Sequence, residues 1–265
     1  MKRKELRSIA LKLSDGLLQT ATDAALFTLF FTLCGFGKSR TSLGAHQMFY
    51  EATEWLHDFN YKTIKNAIAQ LKHKKYISYS QKPTIKMIEI TEEGKQRLLS
   101  LIPQYKKRRS WDERIYLVTY DVPETHRHHR NIFRSFLKRL GCAMLQESVW
   151  ITPYNPKKEI KQFCKDYDLS SVVIVSDMGK DAVVGDVDMK SLVRSLYKFD
   201  NINDRYAKYI TLFEAVKKPH PVIATAYLAI LRDDPQLPHA LLPKDWLGDK
   251  AHAIFHKFYG NIYNL

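Results

Sequence analysis

Cysteine is scarce in this chain of 265 residues and occurs at three distant positions, Cys34, Cys142 and Cys164. The number is odd, and the sequence contains no Cys-x-x-Cys pair. A disulfide framework and a zinc site of the usual ligand spacing are therefore both disfavoured. This cysteine usage fits a reducing compartment, so we expect a cytoplasmic protein.

Long hydrophobic runs are also missing. The longest run, from Ala24 to Phe36, covers thirteen residues and is interrupted by threonine, whereas a membrane-spanning helix needs about twenty apolar residues. The N-terminus, MKRKELRSIALKLSDG, is basic but has neither the apolar core nor the small-residue cleavage site of a secretion signal. We therefore expect no membrane partner.

Acidic residues are few in the first part of the chain. Residues 1–109 contain 20 Lys and Arg against 9 Asp and Glu, a net charge of +11, whereas residues 110–265 carry +3. A small domain of such charge attracts polyanions, because each phosphate that it neutralises releases counterions. Charge alone leaves the partner open, since many basic domains bind no nucleic acid.

The N-terminal hundred residues are predicted to contain three helices, a short hairpin and a further helix. The phrase YISYS…IEITEEGKQRLL resembles the wing and following helix of many bacterial winged-helix repressors. We therefore predict a winged helix-turn-helix. In chain order the predicted elements are a helix from Ser14 or Asp15 to about Cys34, a helix over Leu43–Phe59, a helix capped by Asn60, hairpin strands in Tyr76–Ser80 and Ile85–Ile90, and a helix opened by Thr91.

The third predicted helix, YKTIKNAIAQLKHKK, is amphipathic, with an apolar stripe at Ile64, Ala67, Ile68 and Leu71. In a DNA major groove its polar face would reach bases and phosphates, and the wing would reach the neighbouring backbone. The alternative is a basic surface helix on a protein-binding module. The DNA-binding interpretation assigns double-stranded DNA as partner and Lys62, Thr63, Lys65, Asn66, Gln70, Lys82 and Lys86 as contacts.

A charged run over residues 103–110 marks a boundary, which we interpret as a solvated linker. Beyond it the periodicity of the apolar residues predicts the order β-α-β-β-α-β, the ferredoxin-like plan. The predicted elements are Ile115–Tyr120, Arg127–Leu140, a strand near Ala143–Gln146, Ser148–Ile151, Lys157–Asp168 and Val172–Val175.

The stretch IYLVTYDVPE…FRSFLKRLGCAMLQESVWITPY resembles two families equally. One is the small CRISPR adaptation nuclease family, and the other is the phenylacetic acid degradation repressor (PaaX) family. The nuclease resemblance implies that Asp121 is a metal ligand for Mg²⁺, paired with its symmetry mate across a dimer. One carboxylate per chain is a poor Mg²⁺ site, so we favour Asp121 as a structural cap ahead of Pro123. We thus expect no catalytic residue, metal or cofactor.

Three neighbouring features also favour structure over chemistry. His126, His128 and His129 lie among arginines, and cations disfavour a bound metal, so we expect a solvated helix face. Ser148 has no histidine placed to activate it. Cys142 continues a core pattern and is expected to be packed.

The C-terminal part is predicted to be helical over Lys190–Val216 and Val222–Arg232, after an acidic loop over Asp177–Asp188. The phrases NINDRYAKYITLFEAV and DPQLP…LLPKDW resemble the C-terminal domain of the PaaX family. One departure is Lys198-Phe199-Asp200, where that family usually has Trp-Gly.

We therefore predict an α+β chain of three domains, a winged helix-turn-helix (1–103), a ferredoxin-like dimerisation domain (111–180) and a helical C-terminal domain (189–265). The PaaX resemblance implies a homodimeric, sequence-specific DNA-binding repressor. It also implies release by a small-molecule effector such as an acyl-CoA, to which no residue can be assigned. The alternative is a metal-dependent nuclease or CRISPR adaptation subunit fused to a DNA-binding domain.

Overall fold

A computed structural model describes residues 21–33, 61–79, 88–123, 126–167, 173–179, 188–216 and 221–260. The chain divides into two compact units. Unit 1 comprises Met1–Tyr105, Ile202–Asp234 and Leu247–Leu265, and unit 2 comprises Lys106–Asn201 and Pro235–Trp246. The mixture of helices and antiparallel strands confirms the α+β class. Within the described ranges, no helix is both long and apolar enough to cross a membrane.

The N-terminal part of unit 1 contains helices and a short hairpin in the predicted order. The second predicted helix, Leu43–Phe59, lies outside the described residues, so the winged helix-turn-helix stays a prediction. The strands pair antiparallel, as expected for a hairpin. The elements are α1 (Ala21–Leu33), α2 (Tyr61–His73), β1 (Ile77–Ser78), β2 (Glu89–Ile90) and α3 (Glu92–Leu101).

Residues 91–94, TEEG, form the start of α3, which packs against the turn before β1. Thr91 caps the helix, since its Oγ1 accepts from the N–H of Gly94 at 3.1 Å and its hydroxyl donates to the Lys75 carbonyl. A Cβ at Gly94 would lie 2.1 Å from the Tyr76 carbonyl oxygen. Glycine is therefore required here because two stretches of backbone meet.

An ion pair joins α1 to α3. Arg97 donates Nε to Asp23 Oδ1 at 3.0 Å and Nη2 to Asp23 Oδ2 at 2.9 Å. Asp23 is buried, and the hydrogen bond to its carboxylate raises the pKa of Arg97. Such a bidentate pair fixes orientation as well as distance, so it sets how α1 and α3 pack.

The C-terminal part of unit 1 is a helical bundle with an aromatic core. It contains α7 (Phe199–Val216) from Ile202 onward, α8 (Pro221–Asp233) and α9 (Gly248–Tyr259). The buried Tyr227 hydroxyl lies 2.9 Å from Nδ1 of His252. Such pairing satisfies polar atoms that burial removes from water.

The predicted single helix over Lys190–Val216 is wrong. The structure has two helices, α6 (Met189–Leu196) and α7, separated at Tyr197 and Lys198. Lys198 has a φ of 54°, which no right-handed helix contains. At this break the Tyr197 hydroxyl is anchored within unit 2, since it donates to the Gly141 carbonyl at 2.8 Å.

Unit 2 is built on a four-stranded antiparallel sheet, whose strands in spatial order are β4 (Ala143–Gln146), β5 (Val149–Thr152), β3 (Tyr116–Tyr120) and β6 (Val173–Asp177). Val118 is paired with Trp150 on one side and Val175 on the other. The β-α-β-β-α-β order is confirmed, with bounds close to the predicted ones. These elements are β3 (Tyr116–Tyr120), α4 (Arg127–Arg139), β4 (Ala143–Gln146), β5 (Val149–Thr152), α5 (Lys157–Asp166) and β6 (Val173–Asp177).

Both faces of this sheet are covered by apolar side chains. Alternate strand residues such as Val118 and Trp150 pack against α4 and α5, as the period of a strand requires. The residues between them, such as Leu117 and Ile151, pack on the other face against α6, Phe199 and residues 235–246. The sheet is therefore the middle layer of three.

The predicted solvated linker over residues 103–110 is wrong at Arg109. This side chain is buried and donates to the carbonyls of Lys106 and Leu237, each at 3.1 Å. A buried guanidinium needs such acceptors. Arg109 therefore belongs to the core of unit 2.

Replacing Gly94 by alanine is expected to destabilise the protein by about 1–3 kcal/mol, because the added methyl overlaps the Tyr76 carbonyl. Chemical denaturation of the parent and the variant measures the difference in unfolding free energy. Gly260→Ala is the control, since its Cβ would lie 3.4 Å from the nearest atom. Equal stability of Gly94→Ala and the parent would contradict the close approach.

Candidate nucleic-acid interface

Helix α2 has one buried apolar side. Ala67 is 3% exposed, Leu71 is fully buried and Ile68 is partly covered. These positions follow the predicted stripe, which the described side chains confirm. The stripe leaves the opposite side of α2 available to solvent.

The structure places five of the predicted DNA contacts on α2. Asn66 and Gln70 are exposed there. Lys62, Thr63 and Lys65 lie in the first half of the helix. The two predicted wing contacts, Lys82 and Lys86, lie outside the described residues.

Gln70 also has a role inside unit 1. Its Oε1 accepts a hydrogen bond from the Thr22 hydroxyl at 2.8 Å, which links α2 to α1. The side-chain amide group retains two N–H donors. Gln70 can therefore present donors to an acceptor while its oxygen is held by Thr22.

Sequence reasoning missed the lysines at the end of α2. Lys72, Lys74 and Lys75 are all exposed. Lys72 donates to the Tyr79 carbonyl at 3.3 Å and lies 4.1 Å from the centre of its ring. Cations at a helix C-terminus are also favoured by the helix dipole. The signal was the run KHKK itself, which continues the polar face beyond Gln70.

The capping role predicted for Asp121 stays a prediction, because residues 124 and 125, which follow Pro123, lie outside the described residues. Asp121 is exposed, and its carboxylate makes no hydrogen bond or ion pair with the residues that the structure describes. Helix α4 begins after His126, whose N–H donates to the Pro123 carbonyl at 2.9 Å.

The histidines of α4 and Cys142 were the other groups in unit 2 considered for chemistry. His126 and His128 are exposed, and His129 lies 6.5 Å from the Tyr167 ring. Cys142 is buried, which confirms that it is packed, and burial raises the pKa of its thiol to about 12. Among the described residues, no three His, Cys, Asp or Glu side chains are grouped as a metal site requires.

Gln236, in the sequence DPQLP, holds residues 235–246 against the rest of unit 2. Gln236 Oε1 accepts from the Lys106 N–H at 2.7 Å, and the Gln236 carbonyl accepts from the Tyr154 hydroxyl at 2.7 Å. Gln236 has a φ of 51°, so the backbone turns sharply at this point. Leu237 and Leu241 then pack on the sheet. Sequence spacing had indicated no more than a break between two helices.

Lys198-Phe199-Asp200, which stand where the resembled family usually has Trp-Gly, still provide an aromatic contact. Phe199 is fully buried, and its ring lies 5.3 Å from that of Trp246 at an angle of 68°. Asp200 pairs with Arg194 at 2.9 Å. The aromatic position is therefore structural in this chain.

Two family models match this chain in the order in which the parts occur. Residues 108–184 match the PaaX protein central Cas2-like domain, and residues 222–265 match the PaaX-like protein C-terminal domain. These two matches support a PaaX-family protein. These two domains indicate a family of transcriptional repressors rather than of enzymes, and the Cas2-like description accounts for the nuclease resemblance of the sheet.

Among solved structures, the PaaX-family chain is similar to an uncharacterized protein from Mycobacterium tuberculosis. The sequence identity is 15%, the alignment covers 92% of this chain and 96% of that one, and the TM-score is 0.54. At this identity the likeness concerns the fold alone. No curated protein matches the chain.

Replacing Tyr154 by phenylalanine is expected to cost about 0.5–1.5 kcal/mol of stability, because the Gln236 carbonyl loses a donor. Tyr167→Phe is the control, since Tyr167 is exposed and its hydroxyl has no partner among the described residues. Thermal unfolding of both variants makes the comparison. Equal loss in the two would show that the Tyr154 bond does not hold the 235–246 segment.

Proposed function

We propose that this PaaX-family protein is a transcriptional repressor that reads duplex DNA with α2. The observation that carries the proposal is the exposed polar side of α2, at Asn66 and Gln70, opposite a buried apolar stripe. This helix lies in the part of the chain with a net charge of +11. The PaaX domains that follow it support the same function.

The chemistry of α2 suits the major groove. The side-chain amides of Asn66 and Gln70 can donate to acceptors on the bases. An amide recognises adenine when both its N–H donor and its oxygen acceptor are available. Lys62 and Lys65, with Thr63, would add contacts to phosphates or base edges. Under this proposal Lys82 and Lys86 reach the adjacent phosphate backbone from the wing.

The proposed repressor is a homodimer on a palindromic or near-palindromic operator, with half-sites about one helical turn apart. The sheet constrains how the dimer forms, because residues 235–246 already cover its second face. A partner must therefore use another surface. The edge strand β6 offers Ile174, an apolar side chain that is 64% exposed.

A small-molecule effector, such as an acyl-CoA, would release the repressor from its operator in the cytoplasm. It would do so by binding one geometry of the dimer more tightly than the geometry that fits DNA. The change in operator affinity then equals the ratio of effector affinities for the two geometries. No residue of the chain is assigned to the effector.

Selection of bound sequences from a random duplex pool tests the proposed function. We expect one enriched palindromic motif. Lys62→Ala combined with Lys65→Ala should weaken binding to that motif and lower the dependence of log K on log salt by about 1.8, or about 0.9 for each lost phosphate contact. Lys190→Ala with Lys244→Ala removes the same charge from exposed positions elsewhere and should leave binding unchanged. Equal binding of all duplexes would contradict the proposal.

Asp121→Ala is expected to leave DNA affinity unchanged, since the Asp121 carboxylate supports no contact among the described residues. Duplex incubated with Mg²⁺ and the parent protein should remain intact. Gel analysis of the products checks this, with Mg²⁺ chelated in a parallel sample. Cleavage that requires Mg²⁺ and disappears in Asp121→Ala would restore the nuclease interpretation.

A further inference from the structure

Positive charge in unit 2 is concentrated on α4 and α5, which together form the helical layer of the sheet. Helix α4 contains five Lys and Arg and no acidic residue, and α5 contains four lysines and two acids. The helical layer thus carries +7, whereas the remainder of unit 2 carries −2. A fold does not require such separation, so the helical layer needs an explanation.

Aromatic contacts hold the two helices of the layer in a fixed register. The rings of Phe136 and Phe163 stack at 4.2 Å, and those of His129 and Tyr167 lie 6.5 Å apart. The pairs run in opposite directions along the two sequences, so the helices are antiparallel. The end of α4 therefore lies beside the beginning of α5.

Several cations of the helical layer are exposed and make no ion pair with the residues that the structure describes. On α5 the spacing places three lysines on one side, within about 60° of arc and along about 10 Å of the helix axis. Glu159 and Asp166 project about 100° or more away from the middle of this row. The exposed cations are Lys138, Arg139, Lys158, Lys161 and Lys165.

Two acids of unit 2 pair with arginines outside this layer. Arg114 binds Asp177 and Arg194 binds Asp200. Like charges three or four residues apart on one helix repel one another. The row on α5 therefore costs some stability and gains no internal contact in return.

We propose that the helical layer is a second DNA contact, which binds the phosphate backbone of duplex DNA without reading its sequence. The proposal rests on the proposed function and adds a partner surface to it. A lysine is a compact, flexible point charge suited to single phosphates. Phosphate contacts fix the position of a protein on a duplex, while base contacts select the sequence. The division of roles would be α2 for sequence and the helical layer for position.

The test removes three charges from the full-length protein while keeping side-chain length. Lys158→Gln, Lys161→Gln and Lys165→Gln are combined in one variant. The control combines Lys190→Gln, Lys244→Gln and Lys250→Gln, which are exposed positions outside the helical layer. Circular dichroism and thermal unfolding establish that both variants fold. The probe is a labelled random-sequence duplex of about 40 base pairs, roughly four helical turns, and anisotropy is measured over a series of salt concentrations.

The helical-layer variant is expected to lower the slope of log K against log salt by about 2–3, since each phosphate contact contributes about 0.9. Its affinity for the duplex should fall about tenfold or more at low salt, and the control variant should match the parent. An unchanged slope in the helical-layer variant, or an equal fall in the control, would overturn the proposal.

Failure of this proposal is distinguishable from failure of the proposed function. If the random pool yields a motif and Lys62→Ala with Lys65→Ala weakens its binding, the repressor stands, whatever the helical layer does. If the pool yields no motif but the helical-layer variant still loses its salt-dependent duplex binding, the second contact stands and the repressor fails. Loss of binding to single-stranded RNA, with duplex binding unchanged, would assign the helical layer to another partner and overturn the proposal.

Discussion

Burial of both faces of the antiparallel sheet is the constraint on which unit 2 depends. Adjacent residues of β3, such as Leu117 and Val118, point to opposite apolar layers. Helices α4 and α5 cover one face, and the other is covered by α6 and by residues from far along the sequence. That second cover explains why Arg109 and Tyr154 hold the carbonyls of residues 236 and 237. The buried polar bonds are a consequence of bringing this segment across the sheet.

The sequence predicted the local elements of unit 2 well, because their periodicities depend on neighbouring residues. Strand alternation and the apolar side of α4 are of this kind. The break at Lys198, the burial of Arg109 and the turn at Gln236 depend on partners more than 40 residues away, such as Gly141 and Leu237. No local pattern signals such contacts.

The candidate DNA-reading helix was predictable in outline from its apolar stripe. The sequence did not predict the long-range hydrogen bond in which the Thr22 hydroxyl donates to the side-chain oxygen of Gln70.

The family was indicated by short sequences whose structural role could not be worked out from the spacing of their residues. DPQLP resembled the PaaX C-terminal domain as a string of letters, and the structure shows that its Gln236 and Leu237 attach to the sheet core. The positive charge of the helical layer was visible in the sequence, but the alignment of α4 beside α5 became clear only from the stacked rings.

The order of these elements along the chain has a consequence for synthesis. The last strand of the sheet ends at Asp177, whereas Leu237 and Leu241, which cover its second face, follow about 60 residues later. At about 5–20 residues per second, a ribosome needs several seconds to add that stretch. Until then, a sheet that has already formed lacks the cover of residues 235–246 on its second face. Chaperone binding, or pausing of translation before residue 235, would act on that intermediate.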